Sequence, residues 1–152
     1  MQKCQFRLVG AGLAALLMLA GCATPQGGQT GSSSSPNADW ENLGVTPNGN
    51  TMHELDKLSI KRQGNKVTFR DRKTIFNLAK ENFLTVPRHK HSLNTWEIDC
   101  ANQTYRLLDT TLYDENNRLV VTYRYSEQES RSQPISSKSA SEQQKQRVCP
   151  AN

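Results

Sequence analysis

The chain has 152 residues, 19 of them basic and 14 acidic, for a formal net charge of +5. This balance is mild and dispersed, so composition makes no case for nucleic acid as a partner. With the termini set aside, the length suits one small domain with a modest core.

Met1 to Arg7 carries Lys3 and Arg7 and no acid, and Leu8 to Ala20 is apolar apart from Gly10 and Gly12. As a helix that run spans about 20 Å, short of a bilayer core of about 30 Å. A basic start, a short apolar run and small residues at its end describe a signal peptide over 1–21. Leu19-Ala20-Gly21-Cys22 resembles the lipobox of bacterial lipoproteins. That resemblance implies cleavage before Cys22, acylation of its thiol and amine, and a stable membrane anchor, because several acyl chains hold where one does not. Ala23, where an Asp would signal inner-membrane retention, favours the outer membrane; the periplasmic face and the cell surface both stay open. Cleavage lowers the net charge to +3, since the lost segment holds two cations and no acid. Ala23 to Ala38 has no large apolar residue, so residues 22–38 read as the lipidated cysteine and a flexible tether.

The remaining 39–152 reads as a single domain. Trp40 and Leu43 are its first apolar cue, ahead of the turn-rich Thr46-Pro47-Asn48-Gly49-Asn50. Met52 to Ile60 reads as a short bent strand, with Leu55, Leu58 and Ile60 as core candidates. Arg62-Gln63-Gly64-Asn65 reads as a hairpin turn with Gly64 at positive φ. Val67 to Leu78 follows as a strand, its Val67, Phe69 and Ile75 on one parity. Arg70-Asp71-Arg72-Lys73 interrupts that alternation, as a bulge, an edge or a solvated middle would. Ala79 to His91 is a helical turn or a loop, with Pro87 arguing against a central strand.

Thr95 to Cys100 alternates Trp96, Ile98 and Cys100 against Thr95, Glu97 and Asp99, a half-buried strand. Ala101-Asn102-Gln103 turns the chain. Thr104 to Tyr113 changes apolar parity midway, which predicts a bulge. Asp114-Glu115-Asn116-Asn117 is a hairpin turn and Leu119 to Tyr125 another strand. The four tyrosines, Tyr105, Tyr113, Tyr123 and Tyr125, fit sheet packing. Ser126 to Ser139 is polar and loop-like. Ser139 and Glu142 form a capping-box pattern that starts a helix running to about Val148. That helix is too short and polar to stand alone, so something must pin it.

With Cys4 in the signal peptide and Cys22 acylated, Cys100 and Cys149 remain in an oxidising compartment. A disulfide between them would tie the helix to the sheet; two buried free thiols are the alternative. Zinc is disfavoured, since no C-x-x-C pair is present.

Taken in order, Glu54 to Ile60, Trp96 to Asn102, Asp109 to Asp114 and Ser139 to Cys149 resemble the surface-adhesin protein E family of Gram-negative lipoproteins, over roughly Trp40 to Cys149. The resemblance implies an α+β domain, an antiparallel sheet of about six strands with a C-terminal helix tied to it by a disulfide. It also implies a homodimer through the sheet and adhesion to host matrix or serum proteins: the founding adhesin binds vitronectin, laminin and plasminogen. The adhesin's lysine-rich stretch before the helix is rich in Ser and Gln here, so the resemblance carries over the fold and the disulfide but no binding residues. A periplasm-facing accessory lipoprotein supporting an envelope assembly has the same anchor and fold.

Two basic groups are candidate partner-binding sites: Arg88-His89-Lys90-His91, and Arg70 and Arg72 with Lys73. Each also fits a solvated loop or sheet face. His89 and His91, even with His53, make an incomplete metal set, so no metal or cofactor is expected. The sequence holds no G-x-S-x-G, no H-E-x-x-H and no phosphate-binding glycine loop, and Glu97 and Asp99 are expected on the solvent side. A binding domain fits better than an enzyme.

Overall fold

The computed structural model describes residues 37–150. The signal peptide expected over 1–21, Cys22 and the tether through residue 36 lie outside the described residues. Near the start of the described residues Asp39 is tied in twice: its backbone N–H donates to Asp56 at 3.0 Å and its carboxylate meets Lys57 at 2.9 Å.

The elements are β1 (Trp40–Val45), β2 (Thr51–Gln63), β3 (Lys66–Ile75), a 3-10 turn (Leu78–Lys80), β4 (His91–Asp99), β5 (Thr104–Tyr113), β6 (Leu119–Arg124), β7 (Gln133–Pro134) and α1 (Ala140–Val148). The sheet is an antiparallel meander in the order β1-β2-β3-β4-β5-β6, with β7 added to β5. Strand β1, cued only by Trp40 and Leu43, needs Gly44 at φ +107 to shift register against β2. Gly64 turns the β2–β3 hairpin at φ +58, as its sequence context predicts.

Arg70 to Lys73 neither bulges nor lies on an edge. β3 is a central strand in unbroken register with β4, and the irregularity sits across from it in β2, between Asp56 and Lys61. There Ser59 Oγ takes the N–H of Arg70 at 2.8 Å and donates to the Asp56 carbonyl at 2.6 Å. The middle of β3 is not solvated either, because Asp71 is fully buried. The bulge expected in β5 is present, with Trp96 facing Leu107 and Thr95 facing Asp109. In the turn after Cys100 the left-handed residue is Gln103, at φ 52, while Asn102 binds back to Asp99.

One face of the sheet is covered by α1. Leu55, Val67, Phe69, Ile98 and Val148 form its core. Burying each contributes about 1.5–3 kcal/mol. The other face has no helix over it among the described residues.

Helix α1 buries Ser141, Gln144 and Val148, only one of them a large apolar residue. Ser139 Oγ accepts from the Glu142 N–H at 3.1 Å, but Glu142 reaches the N–H of Lys138, one residue before the cap. At the far end Arg62 donates to the Val148 carbonyl at 3.1 Å, and Arg147 meets Glu41 at 3.2 Å. The Cys100–Cys149 disulfide closes a 49-residue separation and pins this end to the sheet.

Candidate functional site

Strand alternation sorts the candidate residues onto opposite faces. Arg70 and Arg72 point to the open face, where Arg70 is bonded to Asp56 and Arg72 reaches Glu54 through two hydrogen bonds, 2.7 and 2.9 Å. The Arg72 guanidinium also lies 4.4 Å from the centre of the Trp40 ring. Lys73 points the other way, toward α1, with its ammonium 5.4 Å from the Trp96 ring. The structure therefore divides this basic group instead of gathering it.

The second group lies at the end of the sheet formed by the 76–90 loop and the 114–118 turn. Arg88 is exposed and faces Glu115 at 3.8 Å. His89 Nδ1 is 2.8 Å from the Pro87 carbonyl, its ring edge-on to Phe83. Lys90 donates to the Phe76 carbonyl at 3.1 Å. His91 is the first residue of β4 and half-buried on the open face beside Tyr113. Leu84, 88% exposed, and Val86 stand in the same loop.

His53 and His91 fall on opposite faces of the sheet, so they cannot share an ion. Among the described residues no three His, Cys, Asp or Glu side chains are grouped to hold a metal. Burial lowers the pKa of His53, with Lys73 adding to the effect and Asp71 opposing it. Burial likewise lowers that of His91, with Asn117 opposing and Arg72, Lys90 and His89 adding to it. His53 Nδ1, His91 Nε2 and Trp96 Nε1 are buried without a hydrogen-bond partner.

Beneath α1, Asp71 accepts from Asn94 at 2.6 Å and from Gln144 at 2.7 Å. Asn94 also meets Ser92 and accepts from Thr110. Through Gln144 this polar cluster ties α1 to the sheet.

Sequence reading missed a different constellation on the open face. Glu97 is mostly covered and binds Arg106 at 2.8 Å and Lys66 at 3.3 Å. Its burial works against the charge, but hydrogen bonds from Arg106 and Lys66 hold the carboxyl below the ordinary glutamate range. Arg106 also meets Glu127 at 3.1 Å. Lys66, Arg106, Glu127, Ser130, Arg131 and Ser132 line a cleft of about 260 Å³. These residues come from three separate segments, and only the facing registers of β3, β4 and β5 could have suggested the grouping.

The comparisons fit this architecture. No curated protein matches the chain. A crystal structure of Haemophilus influenzae protein E is similar in fold, with a TM-score of 0.50 at 16% identity, over 76% of this chain and 94% of that one. The family model for surface-adhesin protein E matches residues 40–150, from the first strand to the residue after the disulfide, and the chain belongs to that family.

Proposed function

We propose that the mature protein is a non-enzymatic binding domain, lipid-anchored through Cys22 to the outer membrane, that uses the 81–90 loop to hold a host matrix or serum protein. Family membership supports a surface adhesin-type binding protein. One observation carries the choice of loop. Leu84 and Val86 are exposed beside Arg88, an apolar patch with a charged rim of the kind that marks partner sites. The chain enters the sheet at Asp39 and β1 runs toward this end, Val45 pairing with Met52 next to the 46–50 turn. The chain thus enters opposite the middle of β2 and β3 and runs from there toward the loop, which supports a contact away from the point of attachment. Arg70 and Arg72 serve less well as contacts, since both are committed to acids of their own sheet. The reading includes a homodimer, for which β6 offers an outer edge carrying exposed Leu119 and Val120.

The test has two arms. Brief protease treatment of intact cells should remove a tag placed after the last residue; survival of the tag until the cells are permeabilised would favour the periplasm-facing accessory role instead. The full mature chain, kept soluble by Cys22→Ser, should bind immobilised vitronectin or laminin. Leu84→Asp with Arg88→Glu should weaken that binding at least tenfold at unchanged melting temperature. Binding equal to the parent would remove the loop as the contact.

A further inference from the structure

We propose that the open face of the sheet binds a sulfated polysaccharide in two neighbouring cationic clefts. The first is the cleft formed by Lys66, Arg106, Arg131 and the hydroxyls of Ser130 and Ser132, with Glu127 at its lip. The second, of about 410 Å³, opens at the irregularity of β2 and is lined by Leu58, Ser59, Lys61, Thr68, Arg70 and Thr95, with the buried Phe69 at its floor. Five cations and one acid, Glu127, line the two clefts together; Arg70 is paired with Asp56, and Arg106 and Lys66 share Glu97, so Lys61 and Arg131 carry the unbalanced charge. Of the acids near the clefts, Asp56 is fully buried, Glu97 is mostly covered, and the half-buried Asp109 is occupied by the Thr95 hydroxyl at 3.0 Å. Neither Arg131 nor Lys61 has a carboxylate within 4.0 Å among the described residues.

Register places the clefts side by side. Lys61 pairs with Thr68, Thr68 with Glu97, and Glu97 with Arg106, one row across four strands. Adjacent strands are about 4.8 Å apart, so Thr68 and Arg106 are separated by about 10 Å. A single oxyanion fills one cleft; a chain with sulfates on successive sugars reaches both. Arg106 is held by Glu97 before a ligand arrives, so little ordering cost falls on binding. Glu127, 77% exposed, occupies the Arg106 guanidinium from solvent and is the group an incoming sulfate displaces. Apart from the exposed Leu58 and the buried Phe69 of the second cleft, the linings are cations with serine and threonine hydroxyls, and no exposed aromatic ring stands in either cleft to stack a base. That favours a sulfated sugar over a nucleic acid.

The experiment uses the full mature chain with Cys22→Ser and a fluorescent heparin-derived oligosaccharide, with anisotropy read at moderate salt. Binding should weaken as salt rises. Lys66→Gln with Arg131→Gln should weaken it about tenfold, and Glu127→Gln should tighten it severalfold. These three side chains are exposed, so the variants should melt with the parent. Arg88→Gln with Lys90→Gln should leave the affinity unchanged. The proposal fails if the oligosaccharide does not bind, or if its desulfated form or a single-stranded oligonucleotide of matched charge binds equally well. It also fails if the Lys66 and Arg131 substitutions change nothing. The assay needs neither surface exposure nor the 81–90 loop, so failure here leaves the proposed contact loop standing.

Discussion

Asp71 and Asp56 are both fully buried aspartates in neighbouring strands, one on each face of the sheet, and the molecule answers them differently. On the covered face Asp71 receives two neutral amides, from Asn94 and Gln144. On the open face Asp56 receives a guanidinium, from Arg70, and two backbone N–H groups, from Asp39 and Leu58. A helix lies over the first and none over the second. Under a helix a cation would have to give up its water, whereas on the open face Arg70 keeps a partly wet guanidinium while pairing. The covered face is thus held by geometry and the open face by charge.

The largest test of the covered face is its covalent tie. Cys100→Ser with Cys149→Ser should cost about 4 kcal/mol for a loop of this length on the loop-entropy model. Urea unfolding under oxidising conditions measures it, and limited proteolysis should show α1 released first. An unchanged midpoint would mean that Val148, Arg62 and the polar cluster hold the helix unaided.

Next comes the aspartate pair itself. Asp71→Asn presents an amide to two amide donors and leaves one of them unpaired, which should cost about 1–3 kcal/mol and be insensitive to salt. Asp56→Asn keeps its acceptor toward Asp39 and Leu58 but loses the ion pair with Arg70. It should cost about 1–2 kcal/mol, less at high salt. Equal salt dependence of the two variants would break the contrast between the faces.

Much of this arrangement was legible in the sequence. The alternation of Trp96, Ile98 and Cys100 identified the buried face of β4. The parity change between Leu107 and Leu108 identified the bulge, and the count of usable cysteines identified the tie to α1. What failed to read was charge. Arg70 to Lys73 looked solvated because sequence shows a charged run but not its partners; Glu54, Asp56 and Gln144 lie far away in the chain and meet it only through folding. Strand β1 was hidden because an edge strand with one free side needs few apolar residues. The candidate sites were legible only as clusters along the chain, so the open-face cleft, made of single residues from separate segments, was not.

Smaller than these effects is a pH dependence that tests both faces at once, because each carries one half-buried histidine. His53, on the covered face, meets Lys73 and Asp71; His91, on the open face, meets Arg72, Lys90, His89 and Asn117. Burial lowers both below the ordinary histidine value of 6.5. Above that value both rings are neutral, folded or unfolded, and the stability tied to their burial is fully present. As pH falls below it the unfolded chain takes up protons first, so stability declines toward the lowered folded values. Glu97 adds a separate decline at lower pH: its carboxyl is held below the ordinary 4.5, so its contribution is complete above 4.5 and is lost as pH falls through the lower folded value. Urea midpoints between pH 7.5 and 5 should fall for the parent. His53→Gln and His91→Gln should each flatten part of that slope, and the double variant most of it. A parent midpoint that stays level through this window would show that the two rings take up protons in the fold as readily as in the open chain. Burial on either face would then carry no penalty for charge.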